Sequence, residues 1–100
     1  MKTSELSGAD LDRAVAKCIG LSHALHGHVP YTTDWAHGGP IIERERLNLS
    51  MSTTAPWMSW IYDGLEMIFL VDGPTPLVAA MRCFVASKLG DTVEIPEGLQ

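Results

Sequence analysis

The clearest pattern of apolar and polar positions in the chain lies at residues 76–89. Its large apolar side chains recur at helical spacing: Leu77, Met81, Phe84, Val85 and Leu89. Thr75 can cap the start of such a helix, Pro76 suits its first position, and Gly90 can end it in a left-handed conformation. Because charge is sparse around the rest of this helix, we expect it to be covered on more than one side.

A second helix is predicted over residues 8–19. Ser7 is a favourable N-cap, Leu6 and Leu11 occupy the positions of a hydrophobic staple, and Gly20 suits the end. A helix this short is marginal alone, so its apolar stripe is expected to pack on the C-terminal helix. The polar side chains expected to face solvent are Asp12, Arg13 and Lys17.

Residues 57–71 have the pattern of a β-hairpin. Asp63-Gly64 is a pair typical of a two-residue type I′ turn, in which both positions need positive φ. The cross-strand pairs that this turn would set are Tyr62 with Leu65, Trp60 with Met67, and Met58 with Phe69. Since residues 65–71 are largely apolar on both faces, that strand is expected to be central or to be covered by a partner subunit.

The pattern between these elements is weaker. Glycine and proline interrupt residues 21–40, which read as irregular, and Trp35 is interpreted there as a loop anchor covering the edge of the core. Pro40 suits the start of a short helix over residues 40–46, and a strand is expected near 47–51. Residues 92–95 alternate as an edge strand does, or fray as a terminus.

These elements predict an α+β domain that spans residues 1–100. Its small antiparallel sheet consists of the hairpin at about 57–71 and the strand near 47–51. The sheet is expected to pack against the helices at about 8–19 and 76–89, with the short helix at 40–46 beside them.

Composition narrows the function classes. The net charge of −5 and the lack of a basic patch disfavour nucleic-acid binding, which depends on neutralising phosphates. No apolar run approaches the roughly 18 residues of a membrane span, and the first residues lack the apolar segment of a secretory signal. We therefore expect a cytoplasmic protein, with Cys18 and Cys83 as small buried apolar side chains rather than a disulfide.

Four histidines fall within one irregular stretch: His23, His26, His28 and His37. Imidazole is a common metal ligand, so one hypothesis is a small metal-binding protein or enzyme that uses this loop with Asp34 or Glu43. The alternative to a metal site is that these histidines are solvated or locally hydrogen-bonded, since no paired Cys/His spacing accompanies them. The sequence identifies neither a catalytic set nor a cofactor motif.

Three stretches resemble the phage NinX-like family: GADLDRAVAKCIGL, DWAHGGPIIERERL and GPTPLVAAMRCFVASKLGD. This family comprises small proteins of tailed phages and prophages of proteobacteria. The resemblance implies expression inside a bacterial host. It supplies no catalytic residue to carry over to this chain.

The middle stretch of this resemblance holds the candidate binding residues: Asp34, Trp35, His37, Gly38, Gly39, Glu43 and Arg44. A polar and aromatic block of this kind could form a binding surface. It could equally be the scaffold of its own loop, with Asp34 as a cap and the glycines supplying positive φ. The sequence thus favours an accessory protein that binds an unknown host or phage protein, or forms a homo-oligomer through its apolar surface.

Overall fold

The computed structural model describes residues 2–20, 29–51, 57–63 and 66–90. Within these ranges a 3₁₀ turn at Thr3–Glu5 precedes three α-helices, which are α1 (Gly8–Cys18), α2 (Trp35–Glu45) and α3 (Pro76–Leu89). Three antiparallel strands form one sheet in the order β1-β2-β3, and they are β1 (Asn48–Ser50), β2 (Trp57–Asp63) and β3 (Glu66–Gly73). The predicted α+β class is confirmed.

Helix α3 lies at the centre of the molecule, with the bounds that the sequence predicts. The Thr75 hydroxyl accepts a hydrogen bond from the backbone N–H of Val78 at 3.1 Å, so the predicted cap is confirmed. One side of α3 packs against the sheet and the other against α1 and α2. The expected covering on more than one side is also confirmed, because Ala79, Cys83 and Ala86, which lie off the main apolar stripe, are buried too.

Helix α1 packs on α3, as its apolar stripe predicts. Ser7 occupies the N-cap position, but its side chain makes no capping hydrogen bond. The prediction that Asp12 faces solvent is wrong, since its residue surface is only 3% exposed. The Asp12 carboxylate accepts a hydrogen bond from the backbone N–H of Thr32 at 2.9 Å, and so holds the turn before α2 against α1.

The predicted bounds of the middle helix are wrong, because α2 begins at Trp35 rather than at Pro40. The Asp34 side chain accepts a hydrogen bond from the N–H of Ala36 at 2.9 Å, and this cap starts the helix five residues earlier. Pro40 then lies inside the helix, where its lack of an N–H removes one backbone bond. Arg46 ends the helix in a left-handed conformation, with φ of 55°.

The hairpin is confirmed, but its predicted register is wrong. Trp60 pairs with Leu70 rather than Met67, and an irregularity between Ile61 and Tyr62 shifts the pairing. At the turn end the pairing is shifted by two residues, since Tyr62 pairs with Met67 rather than Leu65. The irregularity adds one extra residue in β3, which changes which residues share a face beyond it.

Among the described strands β2, and not β3, is the central one, and the alternative that β3 is covered by a partner subunit stays a prediction. Several predictions lie outside the described residues. They concern the irregular stretch at 21–28, the turn conformation at Asp63-Gly64 and the strand at 92–95.

Candidate functional site

The predicted binding block, residues 34–44, lies along α2. At its N-terminal end the His37 Nε2 atom is 3.9 Å from the Asp34 Oδ2 atom, and both side chains are about half exposed. This pair is ionic only when the imidazole is protonated. The His37 ring also meets the Tyr31 ring edge-on, with the ring centroids 6.2 Å apart.

The two glycines of the block have different surroundings. A Cβ added to Gly38 would lie 2.5 Å from the Tyr31 carbonyl oxygen and 2.6 Å from the Leu77 Cδ2 atom. Gly38 therefore lets α2 approach the preceding turn and α3 closely. A Cβ on Gly39 would make only an ordinary contact, 3.7 Å from the Trp35 ring. Neither glycine has positive φ, so the role predicted for them in a loop scaffold is wrong.

Trp35 is 53% exposed, so its interpretation as an anchor over the core edge is wrong. Its position in the first turn of α2 places it beside a shallow depression of about 280 Å³ between that turn and the start of α3. The other lining residues are Thr32, Thr33, Thr75, Pro76 and Leu77.

The C-terminal end of the block is a separate environment, about 15 Å along the helix axis from Asp34. Arg44 Nε donates to a carboxylate oxygen of Glu45 at 3.1 Å, and Lys88 Nζ lies 3.1 Å from the other oxygen. Burial raises the pKa of Glu45, but hydrogen bonds from Lys88 and Arg44 outweigh it and hold the pKa below its ordinary value. Glu43 is exposed beside this cluster. The structure thus lays the predicted residues along one helix and does not gather them around one point.

The metal hypothesis can be followed only at His37, because His23, His26 and His28 lie outside the described residues. Among residues 2–20, 29–51, 57–63 and 66–90, no three histidine, cysteine or acidic side chains come together as metal ligands do. The hypothesis of a site built from the histidine loop therefore stays a prediction.

Both cysteines are free thiols. Burial raises the pKa of Cys18 and of Cys83 to about 11, although nearby lysines act in the opposite direction on Cys18. The Ser59 hydroxyl lies near the Cys83 thiol and lowers its pKa slightly, but Ser59 Oγ has no well-formed hydrogen bond within the described part of the chain. A thiol with so high a pKa is almost wholly protonated at neutral pH and is a poor nucleophile.

The sheet provides a second candidate surface on the side away from α3. We call it the outer face, and its residues are Ser50, Met51, Met58, Trp60, Tyr62, Met67 and Leu70. They line a shallow open depression of about 360 Å³. Ser59, Ile61 and Val71 point to the opposite side, where they are buried or pack against the core.

The outer face is apolar although it is exposed. Tyr62, Met67 and Leu70 are each about half exposed, and Met51 is 71% exposed. Sequence reasoning found that both faces of the hairpin are apolar, but the wrong register grouped the residues incorrectly. The bulge in β3, which the sequence does not signal, brings Leu70 beside Trp60.

No helix in the described residues is long and apolar enough to cross a membrane. Fold and surface together define a small α+β protein whose sheet is covered by a helix on one face and presents apolar side chains on the other.

The chain belongs to the Bacteriophage P22 NinX family, whose family model matches residues 23–88. The match includes the candidate block on α2, the whole sheet and most of α3. It also includes residues 23–33 and 50–70, which lie between the three resembling stretches, whereas the first of these stretches precedes residue 23. A comparison with curated proteins gives no match.

Proposed function

We propose that this phage-family protein is an accessory protein that acts by binding a host or phage protein in the cytoplasm of the bacterial host. The outer face is the surface that we assign to this interaction. A single observation carries the proposal: three large apolar side chains of the hairpin, Tyr62, Met67 and Leu70, are about half exposed on one continuous face.

Physical chemistry supports this assignment. Burying apolar surface yields about 25 cal/mol per Å², so an exposed apolar patch is unfavourable unless something covers it. Contiguous apolar patches of several hundred Å² are typical of interaction sites on otherwise polar proteins. Three residues of the outer face are methionines, namely Met51, Met58 and Met67. The flexible side chain of methionine adapts well to a partner surface.

A second candidate surface is the block on α2, and the exposed Trp35 ring beside the threonine-lined depression favours it. Aromatic side chains are frequent hot spots of protein interfaces. The two surfaces are on different elements, so substitutions can separate them.

The experiment compares Leu70→Glu with Trp35→Glu. Both residues are slightly more than half exposed, and both changes replace an apolar side chain by the same charge. The tagged chain and each variant are used to isolate partners from phage-infected cells, and each partner is then purified and its affinity measured. Circular dichroism confirms that the variants are folded.

If the outer face is the binding surface, Leu70→Glu weakens binding at least about tenfold, as loss of a hot spot does, whereas Trp35→Glu leaves it nearly unchanged. The reverse result assigns the interaction to the block on α2. The proposal is wrong if neither substitution weakens the binding of any protein, including a second copy of this chain.

A further inference from the structure

We propose that the protein covering the outer face is a second copy of the same chain, so that two sheets stack face to face in a symmetric dimer. This inference rests on the proposed function, since it names the partner of the same surface. It is argued from the charge, the area and the shape of the outer face.

The charge of the outer face suits a copy of itself. The chain carries a net charge of −5, so two copies repel wherever their charged surfaces meet. None of the seven residues that line the depression is charged. A dimer formed through this face therefore brings together the uncharged parts of two acidic molecules. A patch that meets its own copy must be self-complementary, and an apolar patch satisfies that requirement.

The area of the outer face is near the minimum for a specific dimer. With a surface of about 200 Å² for a large side chain, the exposed fractions of Met51, Tyr62, Met67 and Leu70 amount to roughly 450 Å². Met58 and Trp60 are partly exposed and add to this area. Two copies would together bury about 1,000 Å², which is near the lower limit for a specific interface. The expected dimer is therefore weak and depends on protein concentration.

The shape favours a sheet as the occupant. The depression on the outer face is shallow and open, whereas a bound helix is normally held in a groove. Two sheets pack face to face at about 10 Å, with the side chains of the two inner faces interdigitating. Stacking would then bury the outer face of each copy, while the helices of each copy stay on the far side of its sheet.

The register places acidic residues at both ends of the hairpin. Asp72 pairs with Met58 at one end, and Asp63 pairs with Glu66 at the other. A two-fold axis parallel to the strands would bring the same ends of the two copies together, and an axis across the strands would bring opposite ends together. Either arrangement brings acidic ends near each other, and this repulsion is a further reason to expect a weak dimer.

The test is analytical ultracentrifugation of the full chain at about 1 to 500 μM, a range suited to a weak interface. We expect a reversible monomer–dimer equilibrium. Leu70→Glu should raise the dimer dissociation constant at least tenfold, because each copy would bury an added charge. The matched control, Trp35→Glu, adds the same charge at a similarly exposed apolar residue and should leave the constant within about twofold.

Carbene footprinting of the unmodified chain gives a second measurement that needs no substitution. Labelling of Met51, Met67 and Leu70 should fall as the protein concentration rises, while labelling of Trp35 stays constant. This result would support the dimer even if Leu70→Glu failed to fold.

Three results would overturn the inference, and they bear differently on the proposed function. A chain that stays monomeric but binds another protein through the outer face leaves the proposed function intact. A dimer that Leu70→Glu does not weaken uses another surface. If the outer-face residues resist labelling in the monomer, a segment of the same chain covers them, and both the inference and the proposed function are wrong.

Discussion

At the scale of single residues, Gly38 and Gly39 show how neighbouring positions with the same side chain can have different roles. Gly38 is buried where α2 meets the Tyr31 carbonyl and the Leu77 side chain, and a Cβ there would lie within 2.6 Å of both. The Tyr31 carbonyl group belongs to the backbone, which cannot move away from an added Cβ as easily as the end of a flexible side chain can. The absence of a side chain at Gly38 therefore permits the packing of α2 against its neighbours.

We predict that Gly38→Ala destabilises the protein by about 1–3 kcal/mol, the usual cost of overpacking a tightly packed site. The matched control is Gly39→Ala, whose Cβ would make an ordinary contact at 3.7 Å with the Trp35 ring. Alanine is favoured over glycine in a helix by about 0.5–1 kcal/mol, but Pro40 crowds a Cβ on the residue before it, so these two effects oppose each other and the control should cost less than Gly38→Ala. The midpoint of urea unfolding measures both, and equal effects of the two changes would contradict the packing argument.

Asp12 and Trp35 show why exposure was harder to predict than helix formation. Local periodicity places a residue on one face of a helix, but it does not say what approaches that face from elsewhere in the chain. The turn before α2 approaches Asp12, whose carboxylate binds the Thr32 N–H and is buried. In the described part of the chain no such neighbour covers Trp35, which is 53% exposed.

At the scale of the elements, the starts of α1 and α3 differ although both have a residue type that favours an N-cap. The Thr75 hydroxyl accepts a hydrogen bond from Val78, whereas the Ser7 side chain makes no capping bond. Residue type alone therefore did not decide which helix is capped by its side chain.

We predict that Thr75→Ala destabilises the protein by about 1 kcal/mol, because a backbone N–H at the start of α3 loses its acceptor. Ser7→Ala is the matched control, and we expect a loss of no more than a few tenths of a kcal/mol, as for a surface substitution that removes no contact. Thermal and urea unfolding of the two variants measure the difference. A loss at Ser7 as large as that at Thr75 would mean that Ser7 caps α1 in solution.

The sequence predicted the elements whose local signals agree with one another. Residues 76–89 combine a cap, a first-turn proline, an apolar stripe and a terminal glycine, and α3 has those bounds. In α2 the signals conflict, since two glycines and Pro40 suggest a break while Asp34 favours an earlier start. The hairpin register depends on an irregularity near Ile61 that no local sequence signal marks. The residues of the outer face follow from that register, so the sequence could indicate that an apolar face exists but not which residues form it.

At the scale of the whole molecule, Arg82 joins parts of the chain that are distant in sequence. From the middle of α3, its Nε atom donates to the Leu6 carbonyl at 2.7 Å and its Nη1 atom to the Asp72 carbonyl at 2.9 Å. One guanidinium thus holds the segment before α1 and the end of β3 on the same helix. Burial lowers the pKa of Arg82, while the Asp72 charge raises it, and a guanidinium stays protonated throughout the ordinary pH range.

We predict that Arg82→Met destabilises the protein by about 1–3 kcal/mol, because two carbonyl groups lose a charged donor while an unbranched apolar stem is kept. Amide hydrogen exchange should accelerate both before α1 and at the end of β3, since the same contact restrains both segments. Arg13→Met is the control, because Arg13 pairs only locally with Asp10 at 3.3 Å, a type of contact worth a few tenths of a kcal/mol. If exchange accelerates in one segment alone, Arg82 stabilises that segment by itself and does not couple the two across the molecule.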